Sequence, residues 1–202
     1  GDEGVDDMSP SLNPEKALIF RIMHIANVPW LLEHGLHCPN SACRDPDCRE
    51  IGNPDLITKR TRHAVSVPPG GTLSDYIPFY FTPCSPMLYN IRTGCGGVQR
   101  TPMPDIVILV SSLRKIGKAG FRFVFTDRHA YLQTAMYFNS LTELGRVDWA
   151  ILQARDFKRD PDDPGKFERY QAEALIHQSL PVEDLLGIVC HGAKQESMLV
   201  SH

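Results

Sequence analysis

The sequence predicts one α+β domain, in which short strands form a mixed sheet with helices beside it. A chain of 202 residues fits a single domain with a sizeable core. Its apolar runs are of strand length and few are separated by a full crossover helix, which argues against a doubly wound parallel sheet. Neither GxGxxG after the first strand nor GxxxxGK[ST] is present in the sequence, so both standard phosphate-binding loops are missing.

The first half of the chain begins with residues 1–14, which are acidic, contain proline and lack periodicity, so we expect a disordered tail there. A single domain is expected over residues 15–202. Gly35 is typical of a helix end, and Asn53-Pro54 is typical of a helix start. We therefore predict a strand over 17–25, a helix over 28–34, a long loop over 38–53, a helix over 54–62, a turn at 68–71 and a strand over 77–81.

The second half of the chain contains another helix start at Ser85-Pro86 and a glycine-rich stretch over 93–104. Two continuous apolar runs read as buried strands, and the stretch over 129–143 reads as mostly helical. We predict helices over 87–92 and 112–118, strands over 106–110 and 121–125, and two core strands, 170–177 and 185–190, that pair with each other.

Charge and hydropathy favour an ordinary soluble protein. The net charge is −3, the pI is about 6.2, and 42% of the residues are hydrophobic. Most nucleic-acid-binding proteins carry a basic surplus, so composition alone points away from DNA. No apolar run approaches the roughly 20 residues that cross a bilayer, and the acidic N-terminus is unlike a signal peptide, so we expect a cytoplasmic protein. Basic residues form two clusters, one at residues 59–63 and one made of Arg114, Lys115, Lys118, Arg122 and Arg128. Each cluster is either part of a local groove that binds phosphates or an ordinary solvated face.

The cysteines raise the question of a metal site. Cys38, Cys43 and Cys48 lie at regular spacing, with His34 and His37 beside them. Structural zinc sites usually draw on tighter Cys-x-x-Cys pairs, so we expect free thiols and no metal. In a reducing cytoplasm we also expect no disulfides.

The segment Arg169 to Ile176 places a carboxylate, Glu173, among apolar neighbours. Burial costs a carboxylate its hydration unless a cation or a hydrogen-bonding group compensates, which makes Glu173 a candidate for chemistry. A glutamate on the wet face of an ordinary strand or helix is the alternative, since perturbed carboxylates also arise for structural reasons.

Seven short motifs follow one another along residues 17–190: 22–25 with Asn27, 31–36, 70–81, 85–89, 123–130, Asp148-Trp149 and 171–173. In this order and spacing they resemble the DarT family, the NAD-dependent ADP-ribosyltransferase toxins of DarTG toxin-antitoxin systems, which modify bases in single-stranded DNA. The resemblance implies an ADP-ribosyltransferase fold, a split mixed β-sandwich flanked by helices. It also implies NAD as co-substrate, single-stranded DNA and the macrodomain antitoxin DarG as partners, and a monomeric protein.

The same resemblance implies roles for individual residues. Glu173 matches the family's catalytic glutamate and Arg60 its catalytic arginine. Residues expected to contact NAD are Arg21, which departs from the histidine that many family members carry there, His24, His129, and the aromatic Tyr76 and Tyr80, which can stack on nicotinamide or on a splayed base. Alternatives stay open from the residues alone: a strand histidine such as His24 is often a satisfied core residue, aromatic strands are often core, and Asp127 can cap a helix.

The target base is expected to be guanine, because the runs 11–19 and 151–157 resemble the guanine-modifying branch more than the thymidine-modifying one. An ADP-ribosyltransferase that acts on RNA or protein is one rival interpretation. A non-catalytic nucleic-acid-binding or NAD-sensing module is another, and the intact Glu173 argues against it.

Overall fold

A computed structural model describes residues 6–190, which form a seven-stranded sheet, a separate two-stranded sheet and short helices. The strands are β1 (Leu18–His24), β2 (Leu36–His37), β3 (Tyr76–Tyr80), β4 (Ile106–Ser112), β5 (Phe123–Thr126), β6 (Tyr137–Phe138), β7 (Glu173–His177), β8 (Ser179–Leu180) and β9 (Gly187–Cys190). The α-helices are α1 (Val28–His34), α2 (Pro54–Arg60), α3 (Pro86–Thr93), α4 (Leu113–Lys118), α5 (Trp149–Ala154) and α6 (Lys166–Arg169). The predicted α+β class is confirmed.

The large sheet has the strand order β6-β5-β7-β3-β1-β4-β9, and every pair in it is antiparallel, so it is not the mixed sheet that the sequence predicts. β1 pairs with β4 along its whole length, and β3 does the same with β7. Between β1 and β3 there is a single paired position, Phe20 with Tyr80. The sheet is therefore split into two parts that meet at one residue pair.

Strand β7 is covered on both faces. Because side chains alternate along a strand, Ala174 and Ile176 join the main core with Phe79, whereas Leu175 joins a second cluster with Tyr76. The residues from Ala174 to Ile176 are fully buried as a result. Glu173 at the start of the strand is thereby carried into the interior.

The predicted pairing of the strands over 170–177 and 185–190 is wrong. β7 lies between β5 and β3, whereas β9 lies at the sheet edge beside β4. Both segments are apolar, and apolarity alone does not specify which strands become neighbours.

The predicted helix over 129–143 is also wrong, because this segment contains β6 and a 3₁₀ turn at Leu141–Arg146. Side-chain hydrogen bonds close the connection between β5 and β6 instead. The backbone N–H of Met136 donates to Asp127 Oδ1 at 3.0 Å, and the Tyr137 hydroxyl donates to the Ala130 carbonyl at 2.5 Å.

The predicted tail over residues 1–14 is wrong from residue 6 onward. Asp6–Ser11 forms a 3₁₀ helix, and Leu12 is 2% exposed within the main core. Gln153 of α5 donates from Nε2 to the Leu12 carbonyl at 2.8 Å, which fixes this segment on the domain. Residues 1–5 and 191–202 lie outside the described residues, so the domain limit at residue 202 stays a prediction.

Candidate active site

The carboxylate of Glu173 is the centre of the candidate site. The residue is 2% exposed, and each carboxylate oxygen has one hydrogen bond. Arg60 Nη1 donates to Oε1 at 2.9 Å, and the backbone N–H of Ala130 donates to Oε2 at 2.8 Å. A carboxylate oxygen accepts at two positions, so Glu173 retains acceptor capacity on both oxygens while its charge is compensated.

Helix α2 delivers Arg60 to this carboxylate. The side chain of Asn53 caps the helix by accepting the N–H groups of Asp55 and Leu56 at 3.0 and 3.3 Å, and Pro54 occupies the first turn. Arg60 ends the helix, where a cation also interacts favourably with the helix dipole. The predicted helix start at Asn53-Pro54 is confirmed.

Thr126 ties the backbone of Glu173 to the loop after β5. Its hydroxyl accepts the N–H of Glu173 at 3.1 Å and donates to the Arg128 carbonyl at 2.6 Å, and the side chain is fully buried. The hydroxyl thereby links the start of β7 to the loop that presents the Ala130 N–H. Backbone and side-chain bonds together fix the direction of the carboxylate.

A cleft is lined by Glu173, by residues of β1 and β3, and by the loop 38–53. Asn27, which is 6% exposed, anchors that loop: its Oδ1 accepts the N–H of Arg49 and its Nδ2 donates to the Arg49 carbonyl, both at 2.9 Å. Apolar and polar groups both face the cleft, among them Trp30, Leu36, Arg44, Cys48, Leu56, Ile57 and Met87.

Arg21 and Tyr80 lie in this cleft, as expected for two residues predicted to contact NAD. Arg21 Nη1 donates to the Pro78 carbonyl at 2.9 Å, and burial lowers the pKa of its guanidinium. The Tyr80 hydroxyl faces Met87 Sδ at 3.6 Å. Burial, reinforced by the Glu173 charge, raises the pKa of Tyr80 far above its usual value, so the phenol is a neutral donor.

His129 also lines the cleft beside Glu173. Burial lowers the pKa of its imidazole, the Glu173 carboxylate opposes this shift, and the Arg60 charge adds to it. Its Nδ1 accepts the N–H of Tyr131 at 3.3 Å, which leaves Nε2 to carry the proton in the neutral ring. His129 is therefore a neutral donor at pH 7.

Two further residues predicted to contact NAD have structural roles. His24 does not line the cleft; it ends β1 and its Nδ1 accepts the N–H of Ala26 at 2.9 Å, capping a 3₁₀ turn. Tyr76 forms part of the cleft wall but is fully buried, and its hydroxyl donates to the Gly70 carbonyl at 2.7 Å. Burial raises the pKa of Tyr76 to about 12. Phe79 and Phe81 belong to the core.

The second basic cluster is largely engaged in structural bonds rather than forming a groove. Arg114 donates to the Pro14 carbonyl at 2.7 Å, Lys115 donates to the carbonyls of Glu183 and Leu185, and Arg128 pairs with Asp127 at 3.2 Å. In the first cluster, Arg60 is turned toward Glu173 while Lys59 and Arg62 are exposed.

The sequence interpretation missed the Ala130 N–H and Thr126 as partners of Glu173. A backbone donor leaves no signal in the sequence, because every residue other than proline has one. Thr126 lies in the stretch that carries the family resemblance, but nothing in its neighbours distinguishes a bridging hydroxyl from an ordinary strand threonine.

The family model described as "ssDNA thymidine ADP-ribosyltransferase, DarT" matches residues 20–201 of this chain. The chain belongs to the DarT family. It is therefore a DNA ADP-ribosyltransferase by descent, and the solved DarT structures confirm the ADP-ribosyltransferase fold expected from the sequence.

Curated relatives and solved structures agree with this DarT assignment. An Escherichia coli DNA ADP-ribosyl transferase is 59% identical over 185 residues, covering 92% of this chain and 85% of the relative. One from Thermus sp. strain 2.9 is 42% identical over 168 residues, covering 83% and 78%. The structure of Thermus sp. 2.9 DarT in complex with ADP-ribosylated ssDNA superposes with a TM-score of 0.81 at 37% identity, covering 89% of this chain and 84% of that one. The structure of the same Thermus protein in complex with NAD+ superposes with a TM-score of 0.77 at 37% identity, again covering 89% of this chain and 84% of that one.

Other features of this DarT chain concern metal and membrane. Among residues 6–190, no group of three or more histidine, cysteine or acidic side chains is arranged to hold a metal ion. Within the described residues none of the six cysteines forms a disulfide, and Cys38 is buried. No helix in the described part of the chain is both long and apolar enough to span a membrane.

Proposed function

We propose that this DNA ADP-ribosyltransferase consumes NAD and attaches the ADP-ribose to guanine in single-stranded DNA, with Glu173 as the catalytic carboxylate. The observation that carries the proposal is the buried pair of Glu173 and Arg60, 2.9 Å apart, in the wall of the cleft. Solved relatives from Thermus are in complex with NAD+, carba-NAD+ and ADP-ribosylated ssDNA, which supports the same co-substrate and product class here.

The cleft suits a dinucleotide with an anionic pyrophosphate. Arg21 Nε and Arg60 Nη2 are buried and have no hydrogen-bond partner within residues 6–190. A buried guanidinium N–H without an acceptor is costly, so these atoms favour a bound anion. The planar fork of arginine is well matched to phosphate oxygens. We assign Arg21 to the phosphates of NAD, and Tyr80 and His129 to its ribose or amide groups.

NAD supplies an activated glycosidic bond, because nicotinamide leaves with the bonding electrons as a neutral molecule. Glu173 is positioned to stabilise the positive charge that develops on the ribose at C1′, through its charge and a hydrogen bond to a ribose hydroxyl. A base nitrogen then forms the new bond to C1′, and Glu173 accepts the proton that this nitrogen loses. A positioned general base contributes about 10²- to 10⁴-fold in rate.

Arg60 has two tasks in this scheme. Nη1 holds the carboxylate of Glu173, while Nη2 is free for the co-substrate or the target base. The ion pair also compensates the charge of a carboxylate that is 3% exposed, which would otherwise be strongly unfavourable. Tyr76 supports the cleft wall and His24 caps the end of β1, so we give neither a direct contact with NAD.

Single-stranded DNA suits this site because a base in a duplex must first be unstacked and extruded. Guanine is proposed from the resemblance of residues 11–19 and 151–157 to the guanine-modifying branch. The matching family description names thymidine, which makes thymine the alternative base. From the resemblance to DarTG systems we also propose that the protein is a cytoplasmic toxin, acts as a monomer and is neutralised by a macrodomain antitoxin, DarG.

Mass spectrometry of oligonucleotides after incubation with the protein and NAD tests this function. We expect single strands that contain guanine to gain one ADP-ribose each, and the matching duplexes to gain far less. Labelling of strands that lack guanine, at the rate of strands that contain it, would refute the base assignment but leave the enzyme class intact. Labelling of RNA or protein in place of DNA would refute the substrate.

A further inference from the structure

Two chain segments are tied to opposite oxygens of Glu173, and each carries an aromatic ring close to its point of attachment. Ala130 donates its N–H to Oε2, and Tyr131 is the next residue. Arg60 donates to Oε1, and His63 lies three residues further on, with its N–H bonded to the Arg60 carbonyl at 3.3 Å. The carboxylate therefore brings Tyr131 and His63 to the same place from two distant parts of the chain.

The rings of His63 and Tyr131 are in contact, with centroids 5.2 Å apart and planes tilted by 50°. Neither ring lines the cleft assigned to NAD, and both residues are partly exposed. Tyr131 packs against the second core cluster, and the His63 carbonyl accepts the N–H of Leu73 at 2.9 Å, so both residues are held from behind. The result is a fixed aromatic surface beside Glu173 and outside the cleft.

The polar atoms of this surface are available to a ligand. Within residues 6–190, neither the Tyr131 hydroxyl nor the imidazole nitrogens of His63 have a hydrogen-bond partner. Burial, with a contribution from the Arg60 charge, lowers the pKa of His63, so its ring is neutral at pH 7 and offers one donor and one acceptor. Lys59 and Arg62, on the same segment as His63, are exposed and form no ion pair in the described chain.

We propose that His63 and Tyr131 bind the target nucleobase of single-stranded DNA, stacking on it and hydrogen-bonding its edge, while Lys59 and Arg62 contact the neighbouring phosphates. The proposal rests on the function given above and adds the acceptor site to it. An aromatic face next to cationic side chains is the usual arrangement for single-stranded nucleic acid, because stacking tolerates any base and the cations follow the backbone. This surface adjoins Glu173, because the two segments that carry the rings are bonded to its two carboxylate oxygens.

Steady-state kinetics with an oligonucleotide at saturating NAD test the assignment. Tyr131→Ala and His63→Ala are each expected to raise the apparent KM for the oligonucleotide about tenfold, the size of one lost stacking contact. Tyr131→Phe keeps the ring and is expected to remain within about threefold of the unmodified protein. Calorimetry with carba-NAD, a hydrolysis-resistant analogue, is expected to give the same Kd for all four proteins.

Three outcomes would overturn the inference: an unchanged KM for the oligonucleotide in both alanine variants, a loss in Tyr131→Phe equal to that in Tyr131→Ala, or an equal loss of carba-NAD affinity. If Tyr131→Ala unfolds, His63→Ala still provides the test, because His63 is partly exposed and its substitution is expected to leave the fold intact. Failure of the unmodified protein to label any DNA would instead refute the proposed function, and the two failures are thereby distinguished.

Discussion

Arg60 and Glu173 are 113 positions apart in the chain, yet they form an ion pair of 2.9 Å in which the side chains are only 12% and 3% exposed. Arg60 ends a short capped helix and Glu173 begins a central strand. Removing one partner of such a pair leaves the other charge buried, which typically costs about 3–5 kcal/mol of stability. Variants of either residue therefore need a folding measurement beside every activity measurement.

Glu173→Gln is expected to lower DNA modification by at least about 10²-fold, because the amide keeps the shape of the side chain but neither accepts a proton nor carries charge. Initial rates of oligonucleotide labelling measure the change. Glu143→Gln is the matched control: it removes an exposed carboxylate that pairs with Arg146 at 3.1 Å. Turnover by Glu173→Gln equal to that of the control would remove Glu173 from the mechanism.

Arg60→Ala and Arg62→Ala remove the same group from neighbouring positions with different surroundings. We expect Arg60→Ala to lower kcat about 10²- to 10³-fold, since it loses a charge aimed at the reacting centre. Arg62→Ala is expected to leave kcat unchanged and raise the KM for DNA, with a weaker dependence on salt. Equal and mild effects from both variants would reduce Arg60 to a general electrostatic contributor.

Thr126→Val tests whether the bridging hydroxyl positions Glu173. Valine has the same shape but leaves the Glu173 N–H without its acceptor, a loss of about 1–3 kcal/mol in the free energy of unfolding. We expect kcat to fall while the KM for NAD stays the same, and Thr126→Ser to restore kcat. If the serine variant is as slow as the valine variant, shape rather than the hydroxyl matters at this position.

Stability is expected to fall as the pH drops from about 7.5 to 5.5. Burial lowers the folded-state pKa values of His63, His129 and His177, so between those values and the ordinary one near 6.5 the unfolded chain binds more protons than the folded chain. Proton binding then favours unfolding. The stabilisation that the neutral, buried histidines contribute is fully present only above the ordinary pKa. Urea unfolding across this pH range gives the slope, and His129→Gln is expected to make it shallower. An identical slope in that variant would contradict the role given to His129.

Treatment with a chelator is expected to leave activity and melting temperature unchanged, because the proposed mechanism uses no metal ion. Elemental analysis of the purified protein is the accompanying measurement. Stoichiometric zinc that is lost together with the fold would give Cys38, Cys43 and Cys48 a role that neither their spacing nor their surroundings suggest.

Short-range patterns predicted much of the fold. Helix α1 was predicted at its observed limits, and Asn53-Pro54 marked the start of α2 because capping depends on adjacent residues. Long-range facts were not accessible in this way. The segment after β5 contains good helix formers, but the bond from the Met136 N–H to Asp127 overrides that local preference.

In the candidate site, too, residue identities could be predicted from the sequence, whereas long-range contacts could not. Glu173 and Arg60 were identified by resemblance, and the structure brings them into contact. The contact of His24 with NAD stays a prediction, and the sequence gives no indication that its ring caps the turn at Ala26. Partners supplied by the backbone, such as the Ala130 N–H, become visible only when the strands are placed.

The anchoring of the loop 38–53 has a consequence for protein engineering. Asn27 bonds only main-chain atoms of Arg49, so the anchor is indifferent to which side chains the loop displays. A library randomised at the cleft-facing positions 44, 45, 48 and 50 would therefore keep this anchor while changing the side chains that line the cleft. This makes the loop a place to search for variants that accept altered dinucleotides, with Asn27 left untouched.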